Sequence, residues 1–125
     1  MASILYLPAE YSQEERFRSL LEIAVPEKKF EIYRTFEELS RGLRETGSSV
    51  KVAILFAVNQ VEITQILSLG DVLADVKIIL ILADEDKDTM MKAHRLRPRY
   101  VTWMDYDLLD IVIVFKRMIA LYDVM

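Results

Sequence analysis

Three residue types are scarce or missing in this sequence, and each shortage excludes a class of protein. Cysteine is absent, so the chain has no disulfide framework, no thiolate metal site and no thiol nucleophile. His94 is the single histidine, which excludes histidine-rich catalytic and metal sites. Glycine and proline number three each among 125 residues, which excludes collagen-like chains and flexible or proline-rich linkers.

Long hydrophobic runs are missing as well. The longest apolar segment, 108–122, is interrupted by Asp110, Lys116 and Arg117, whereas a membrane-spanning helix needs about 20 apolar residues. The first apolar run, 4–8, is too short to be a secretory signal. We therefore expect a cytoplasmic protein that makes no contact with a membrane.

An excess of positive charge is also missing. Lysine and arginine number 16 against 20 aspartates and glutamates, and the net charge of −4 disfavours a nucleic-acid partner. Hydrophobic residues, by contrast, make up 53% of the chain, which is enough to build a core and excludes a disordered chain. We expect residues 1–125 to form a single domain, either a free-standing protein or part of a longer one.

Five short apolar runs predict five β-strands. Two of them, 52–58 and 78–82, are apolar throughout, which is typical of central strands that are buried on both faces. The runs at 30–34 and 100–104 are less uniformly apolar, and the run at 3–7 stops at a proline. We therefore expect the second and fifth strands to lie at the edges of a sheet.

Helical periodicity fills the intervals between these strands. Ser12 with Glu15, and Thr35 with Glu38, have the spacing of capping boxes that begin the first and second helices, and Asp107 can cap the last helix. The apolar residues at helical spacing run from Phe17 to Ala24, from Phe36 to Leu43, from Ile63 to Leu73, from Met90 to Leu96 and from Leu108 to about Asp123.

Five strands that alternate with five helices predict an α/β fold with a doubly wound parallel sheet. In about 125 residues this pattern fits the flavodoxin-like strand order 2-1-3-4-5. That order puts the second and fifth strands at the edges, which agrees with their lower apolar content.

The sequence resembles a response-regulator receiver domain of the chemotaxis-regulator type over nearly its whole length. The most specific likeness is at 100–104 with 105–109, where receivers carry Tyr, an apolar residue, Thr or Val, Lys and Pro, and then a final amphipathic helix. Residues 3–10 similarly resemble the first strand and the acidic turn of a receiver. The resemblance implies the flavodoxin-like fold and a role in two-component signal transduction.

The resemblance also implies that the site of receiver chemistry is degenerate. In that family an aspartate after the third strand accepts a phosphoryl group, an acidic pair holds Mg²⁺, and a hydroxyl and a lysine contact the phosphate. The acidic pair falls on Pro8 and Ala9, which leaves only Glu10 as an acid there. The acceptor position falls on Phe56 or Ala57, the hydroxyl position on Ala83 and the lysine position on Trp103. We therefore expect no phosphorylation by the family mechanism, no catalytic residue and no cofactor.

An acidic cluster follows the predicted fourth strand. Asp84, Glu85, Asp86 and Asp88 could hold a divalent cation together with Glu10, or they could form a solvated loop that caps a helix. The run lacks the glycine-containing spacing of a calcium-binding loop, which favours the capping interpretation.

A basic cluster surrounds Pro98. It could bind phosphate groups or a nucleic-acid backbone, or it could be an exposed helix end where cations complement the helix dipole. The net negative charge of the chain favours the second interpretation. The members of the cluster are Lys92, His94, Arg95, Arg97 and Arg99.

The last predicted helix carries more apolar residues than one buried stripe requires. Extra apolar surface often marks a partner interface, and receivers commonly pair through the face formed by their fourth helix, fifth strand and fifth helix. The resemblance therefore predicts a homodimer through that face. The candidate interface residues are Leu109, Val112, Ile113, Lys116, Tyr100 and Arg97.

The favoured function is a non-catalytic signalling module that acts through protein contacts, with a sensor kinase, another receiver or an output domain as its partner. One alternative is a binder of a small ligand, nucleotide or flavin in the crevice at the carboxyl ends of the strands. Residues 8–12 match a phosphate-binding loop poorly. A second alternative is a weak nucleic-acid binder that uses the basic cluster.

Overall fold

The computed structural model describes residues 2–9, 11–26, 30–46 and 50–122. Its strands are β1 (Ala2–Tyr6), β2 (Phe30–Tyr33), β3 (Val50–Ala57), β4 (Lys77–Leu82) and β5 (Tyr100–Trp103). Its helices are α1 (Glu14–Ala24), α2 (Phe36–Thr46), α3 (Gln60–Leu67), α4 (Gly70–Leu73), α5 (Lys87–Arg95) and α6 (Leu108–Tyr122).

The five strands form one sheet in the order β2-β1-β3-β4-β5, and every neighbouring pair is parallel. Parallel neighbours require crossover connections, and the helices between the strands supply them. The predicted flavodoxin-like α/β fold and the strand order 2-1-3-4-5 are confirmed.

The core has two layers, one on each face of the sheet. Helices α1 and α6 cover one face with Phe17 and Phe115, while α2 to α5 cover the other with side chains such as Leu39 and Ile66. Residues 52–57 of β3 and 78–82 of β4 are buried throughout, whereas β2 and β5 are half-exposed. The apolar runs of the two central strands therefore supply side chains to both core layers. Each large apolar side chain stabilises the fold by about 1.5–3 kcal/mol when it is buried.

The prediction of five helices is wrong, because the described residues contain six. The third predicted helix is divided into α3 and the single turn α4. Ser68 ends α3, where its hydroxyl donates to the carbonyl of Gln65 at 2.6 Å. A serine hydroxyl that bonds a carbonyl of the preceding turn competes with the helix backbone.

Two of the three predicted helix caps are confirmed. The Thr35 hydroxyl accepts from the backbone N–H of Glu38 at 3.2 Å, and the Asp107 carboxylate accepts from the N–H of Leu109 at 3.0 Å. The Ser12 cap is wrong, because α1 begins at Glu14 and its N-cap, Gln13, makes no side-chain capping bond.

Spanning a bilayer takes a helix of about 20 apolar residues. In the part of the chain that the structure describes, no helix is both long and apolar enough to cross a membrane.

Candidate functional site

The residues predicted to form the degenerate receiver site meet at the carboxyl edge of the sheet. Ala57 pairs with Leu82 of β4, and Leu82 pairs with Trp103 of β5, so these three strand ends are level. Ala83 directly follows β4, and Pro8 lies two residues beyond β1, which brings it to the level of the end of β3. Glu10 lies outside the described residues.

The two candidate acceptor positions belong to opposite core layers. Phe56 is fully buried, and its ring lies 4.4 Å from that of Tyr11 and 5.2 Å from that of Phe17. Ala57 is 2% exposed and belongs to the layer formed with α2 to α5. Hydrocarbon and aromatic side chains therefore occupy both faces of the sheet at the end of β3.

Trp103 is the residue predicted to correspond to the receiver lysine. Its indole N–H donates to the backbone carbonyl of Asp84 at 3.0 Å, which joins the end of β5 to the β4–α5 loop. Its ring also lies 5.3 Å from that of Tyr106. Ala83 contributes only a methyl group, so neither position carries a side chain that could contact a phosphoryl group as the family's lysine and hydroxyl do.

A cavity of about 320 Å³ lies beside this edge, and Tyr11 forms part of its wall. The Tyr11 hydroxyl is buried and has no hydrogen-bond partner within the described ranges. Burial raises the pKa of Tyr11 to about 12, against an opposing effect of the Arg16 charge, so the phenol stays protonated at neutral pH. The other lining residues are Ser12, Gln13, Val58, Asn59 and Met104.

The acidic cluster after β4 acts on the backbone. The Asp84 carboxylate accepts from the N–H of Asp86 at 3.0 Å, and the Asp86 carboxylate accepts from the N–H of Asp88 at 3.1 Å, where Asp86 is the N-cap of α5. Among the residues described, no three histidine, aspartate or glutamate side chains are grouped so that they could hold a metal ion. These contacts favour the capping interpretation.

The basic cluster lies at the carboxyl end of α5. Lys92 is directed to α3, where its ammonium group donates to the Thr64 hydroxyl at 2.9 Å. Arg97 has a positive φ of 52°, and the N–H of Arg99 donates to the Ile78 carbonyl at 2.8 Å. His94, Arg95, Arg97 and Arg99 are exposed.

The candidate interface residues are unequally accessible. Leu109 and Ile113 lie one turn apart on α6 and are 47% and 42% exposed, and both Lys116 and Arg97 are exposed as well. The choice of Val112 is wrong, because this side chain is 1% exposed.

The periodicity of α6 explains the burial of Val112, and packing explains the partial burial of Tyr100 on β5. Val112 shares its stripe with Leu108 and Phe115, which face the sheet. Tyr100 is half-buried and packs against the α1 and α6 layer.

Sequence reasoning missed the polar contacts of α3. The Glu62 carboxylate accepts from the buried Tyr6 hydroxyl at 2.5 Å, and Gln60 donates to the buried Thr89 hydroxyl. A signal for the start of this helix was available: Asn59 and Glu62 have capping spacing, and the Asn59 side chain accepts from the Glu62 N–H at 2.9 Å.

Comparison with known proteins identifies the fold. No family model matches the sequence, and no curated protein matches it. Among solved structures, a CheY-like receiver domain protein of Methanospirillum hungatei has a TM-score of 0.72 at 12% identity and covers 96% of this chain and 94% of its own.

Two further structural neighbours are a response regulator and a protein described as pilus assembly-related. An orphan response regulator of H. pylori has a TM-score of 0.71 at 5% identity, covering 94% of this chain and 95% of its own. A Burkholderia pseudomallei protein described as pilus assembly-related has a TM-score of 0.65 at 18% identity, covering 96% and 90%. At these identities the likeness establishes the fold alone: this chain has the fold of response-regulator receivers.

Proposed function

We propose that this chain is a non-catalytic signalling module with a receiver fold, in or derived from two-component signal transduction, and that it does not accept a phosphoryl group by the family mechanism. The observation that carries the proposal is the level row of strand ends at the carboxyl edge. By the resemblance to receivers, Phe56 or Ala57 stands there in place of a carboxylate, Ala83 in place of a hydroxyl and Trp103 in place of an amine. The proposal assigns the module to the cytoplasm, with which the absence of cysteine is compatible.

The chemical reason is the loss of the nucleophile and of its electrostatic support together. Phosphoryl transfer needs an attacking oxygen and a cation that neutralises the charge developing on the phosphoryl oxygens. Phe56 and Ala57 carry no oxygen in their side chains, and Pro8 and Ala9 carry no ligand for Mg²⁺. The Tyr11 phenol does not substitute, because its hydroxyl is buried.

Phosphotransfer from acetyl phosphate tests this proposal. The chain is incubated with acetyl phosphate and Mg²⁺ and its intact mass is measured, with an active receiver treated in parallel as the reagent control. We expect the control to gain one phosphoryl group and this chain to gain none. A hydroxylamine-sensitive adduct, which indicates an acyl phosphate, would contradict the proposal.

The proposal extends to a homodimer that uses α5, β5 and α6. These are the fourth predicted helix, the fifth strand and the fifth predicted helix, renumbered because of the additional turn α4. The support for the dimer is the apolar pair Leu109 and Ile113, which lies exposed on one side of α6 with Lys116 nearby in sequence. Two apolar side chains one helical turn apart form a stripe that a second copy of α6 can cover.

Light scattering at tens of micromolar checks the dimer, since a micromolar dissociation constant gives mostly dimer at about that concentration. Ile113→Glu should produce a monomer, because it puts a charge into the apolar contact. The matched control is Ile23→Glu on α1, where the side chain is 78% exposed. A monomeric parent chain, or equal effects of both variants, would refute this interface.

The nature of the partner is not decided by the fold, because one fold serves many roles. The neighbours include receivers of two-component signalling and proteins described as pilus assembly-related. We propose a sensor kinase, another receiver or an output domain as the partner class. Affinity capture with the parent chain and with Ile113→Glu, followed by mass spectrometry, should show partners that the variant loses.

A small-ligand binder at the same edge is the second candidate, and the cavity beside Tyr11 favours it. Its volume of about 320 Å³ is at the lower end of the range of ligand pockets, and a buried hydroxyl without a partner could be satisfied by a ligand. Flavin mononucleotide is the probe: saturable changes in its fluorescence that Tyr11→Phe alters would favour this candidate, and unchanged fluorescence would exclude flavin.

A further inference from the structure

A second cavity lies at the opposite, amino edge of the sheet, far along the strands from the degenerate receiver site. Its volume is about 230 Å³, and it is located between α4 and the end of α5, where the chain enters β4. Leu73, Val76 and Leu96 are buried side chains that give it an apolar floor. Gly70 leaves one side open, because a Cβ placed on it would meet no atom within 4 Å.

The wall of this cavity carries two positive charges. Arg95 and Arg97 both line it and are exposed, and no acidic residue is among its lining residues. Within the described part of the chain, neither guanidinium has a hydrogen-bond or ion-pair partner. Asp71, which follows Gly70 in the sequence, does not line the cavity, and its exposed carboxylate lies 3.9 Å from the Arg44 guanidinium.

The backbone that presents Arg97 is strained. Leu96 is the C-cap of α5, so Arg97 occupies the following position, and its φ of 52° lies in the left-handed region. Glycine is the usual residue at that position because any Cβ is crowded there. A left-handed residue directly after the C-cap is a common way to end a helix, and here it places Arg97 at the cavity wall.

We infer that this cavity binds a small organic anion, with Arg95 and Arg97 contacting its oxyanion group and the apolar floor contacting a short hydrocarbon portion. Arginine presents a planar fork of donors that matches carboxylate and phosphate oxygens. The negative end of the α5 dipole corresponds to about half a charge and is outweighed by two full positive charges. The volume is below the usual range for drug-sized ligands, which excludes a nucleotide.

Titration of the ¹⁵N-labelled chain with three probes tests the site. Butyrate combines a carboxylate with a short hydrocarbon, inorganic phosphate supplies the oxyanion alone, and 1-butanol supplies the hydrocarbon alone. We expect saturable amide shifts at residues 70–76 and 95–97 with butyrate, with phosphate or with both. The probe that binds more tightly, butyrate or phosphate, identifies the natural oxyanion as a carboxylate or a phosphate.

Variants make the test specific. Arg97→Gly removes one guanidinium in a backbone conformation that suits glycine, and Arg95→Gln removes the other at an exposed position. Each variant should weaken binding of the anion about tenfold or more, as expected for the loss of a hydrogen bond to a charged group. The matched control, Arg117→Gln on α6, removes one exposed positive charge elsewhere and should leave the affinity unchanged.

The inference does not depend on the proposed signalling function and can fail separately from it. Shifts that are uniform and never saturate, an equal response to 1-butanol, or equal losses in Arg97→Gly and Arg117→Gln would each overturn it.

Discussion

Arg97 is the one described non-glycine residue with a positive φ, and its backbone is the clearest source of local strain. A backbone in the left-handed region destabilises the folded state by roughly 1 kcal/mol when the residue has a side chain, and glycine removes this strain. Arg97→Gly should therefore raise the free energy of unfolding by about 0.5–1 kcal/mol.

The same change two residues earlier provides the comparison. Arg95 is helical, so Arg95→Gly should lower the free energy of unfolding by up to about 1 kcal/mol. Urea denaturation measures both variants, and effects of the same sign would contradict the assigned strain.

Gly42 is a second position where a single atom decides stability. A Cβ there would lie 2.2 Å from the hydroxyl oxygen of Tyr33 and 2.3 Å from the adjacent ring carbon. Because such contacts force the ring or the helix to move, Gly42→Ala should destabilise the fold by about 1–3 kcal/mol despite the better helix propensity of alanine.

The control is Gly70→Ala, where the added methyl group meets nothing within 4 Å. It should be neutral or slightly stabilising when both variants are compared with the parent by thermal unfolding. A Gly42→Ala protein as stable as the parent would contradict the prediction and would mean that the Tyr33 ring can move without a loss of stability.

At the scale of the elements, Glu14 joins the start of α1 to the end of β2. It forms an ion pair with Arg34 and a weaker one with Arg18 at 3.5 Å. The hydrogen bond from Arg34 lowers the pKa of Glu14 below its usual 4.5, and burial opposes this effect. A lowered folded-state pKa stabilises the protein above pH 4.5, and this stabilisation is lost as the pH falls through the folded-state value.

Glu14→Gln should therefore lower the free energy of unfolding at pH 7 by up to about 1 kcal/mol, a small effect because Arg34 is partly exposed and solvent screens the pair. The difference from the parent should shrink below pH 4.5. Denaturant titrations at pH 7 and pH 3 measure it, with Glu15→Gln, which alters an exposed neighbour, as the control. A difference that does not change with pH would contradict the role of this ion pair.

The elements differ in how far sequence reasoning could predict them. The central strands were predictable because residues 52–57 and 78–82 must be apolar on both faces. The division between α3 and α4 was not, since the apolar residues of this segment keep their helical spacing across the break at Ser68. Val112 was misassigned because a helix as apolar as α6 leaves the edge of its buried stripe undefined until packing is known.

At the scale of the whole molecule, two edges of one sheet differ in character. The carboxyl edge has aromatic and hydrocarbon side chains at the positions predicted to correspond to the receiver site, and Trp103 ties its loop to β5. The amino edge carries the smaller cavity, with Arg95 and Arg97 in its wall. The position of the first edge followed from the strand order, whereas the second cavity is lined by residues of α4 and of the end of α5, which are distant in sequence and form no pattern there.

The central claim, that the carboxyl edge does not take up a phosphoryl group, is tested most directly with beryllofluoride, which mimics a phosphoryl group on aspartate. The amide spectrum of the ¹⁵N-labelled chain is recorded with Mg²⁺ alone and then with Mg²⁺ and beryllofluoride. We predict that the resonances of Ala9, Ala57, Ala83 and Trp103 stay unchanged. Saturable shifts of these four amides would contradict the claim.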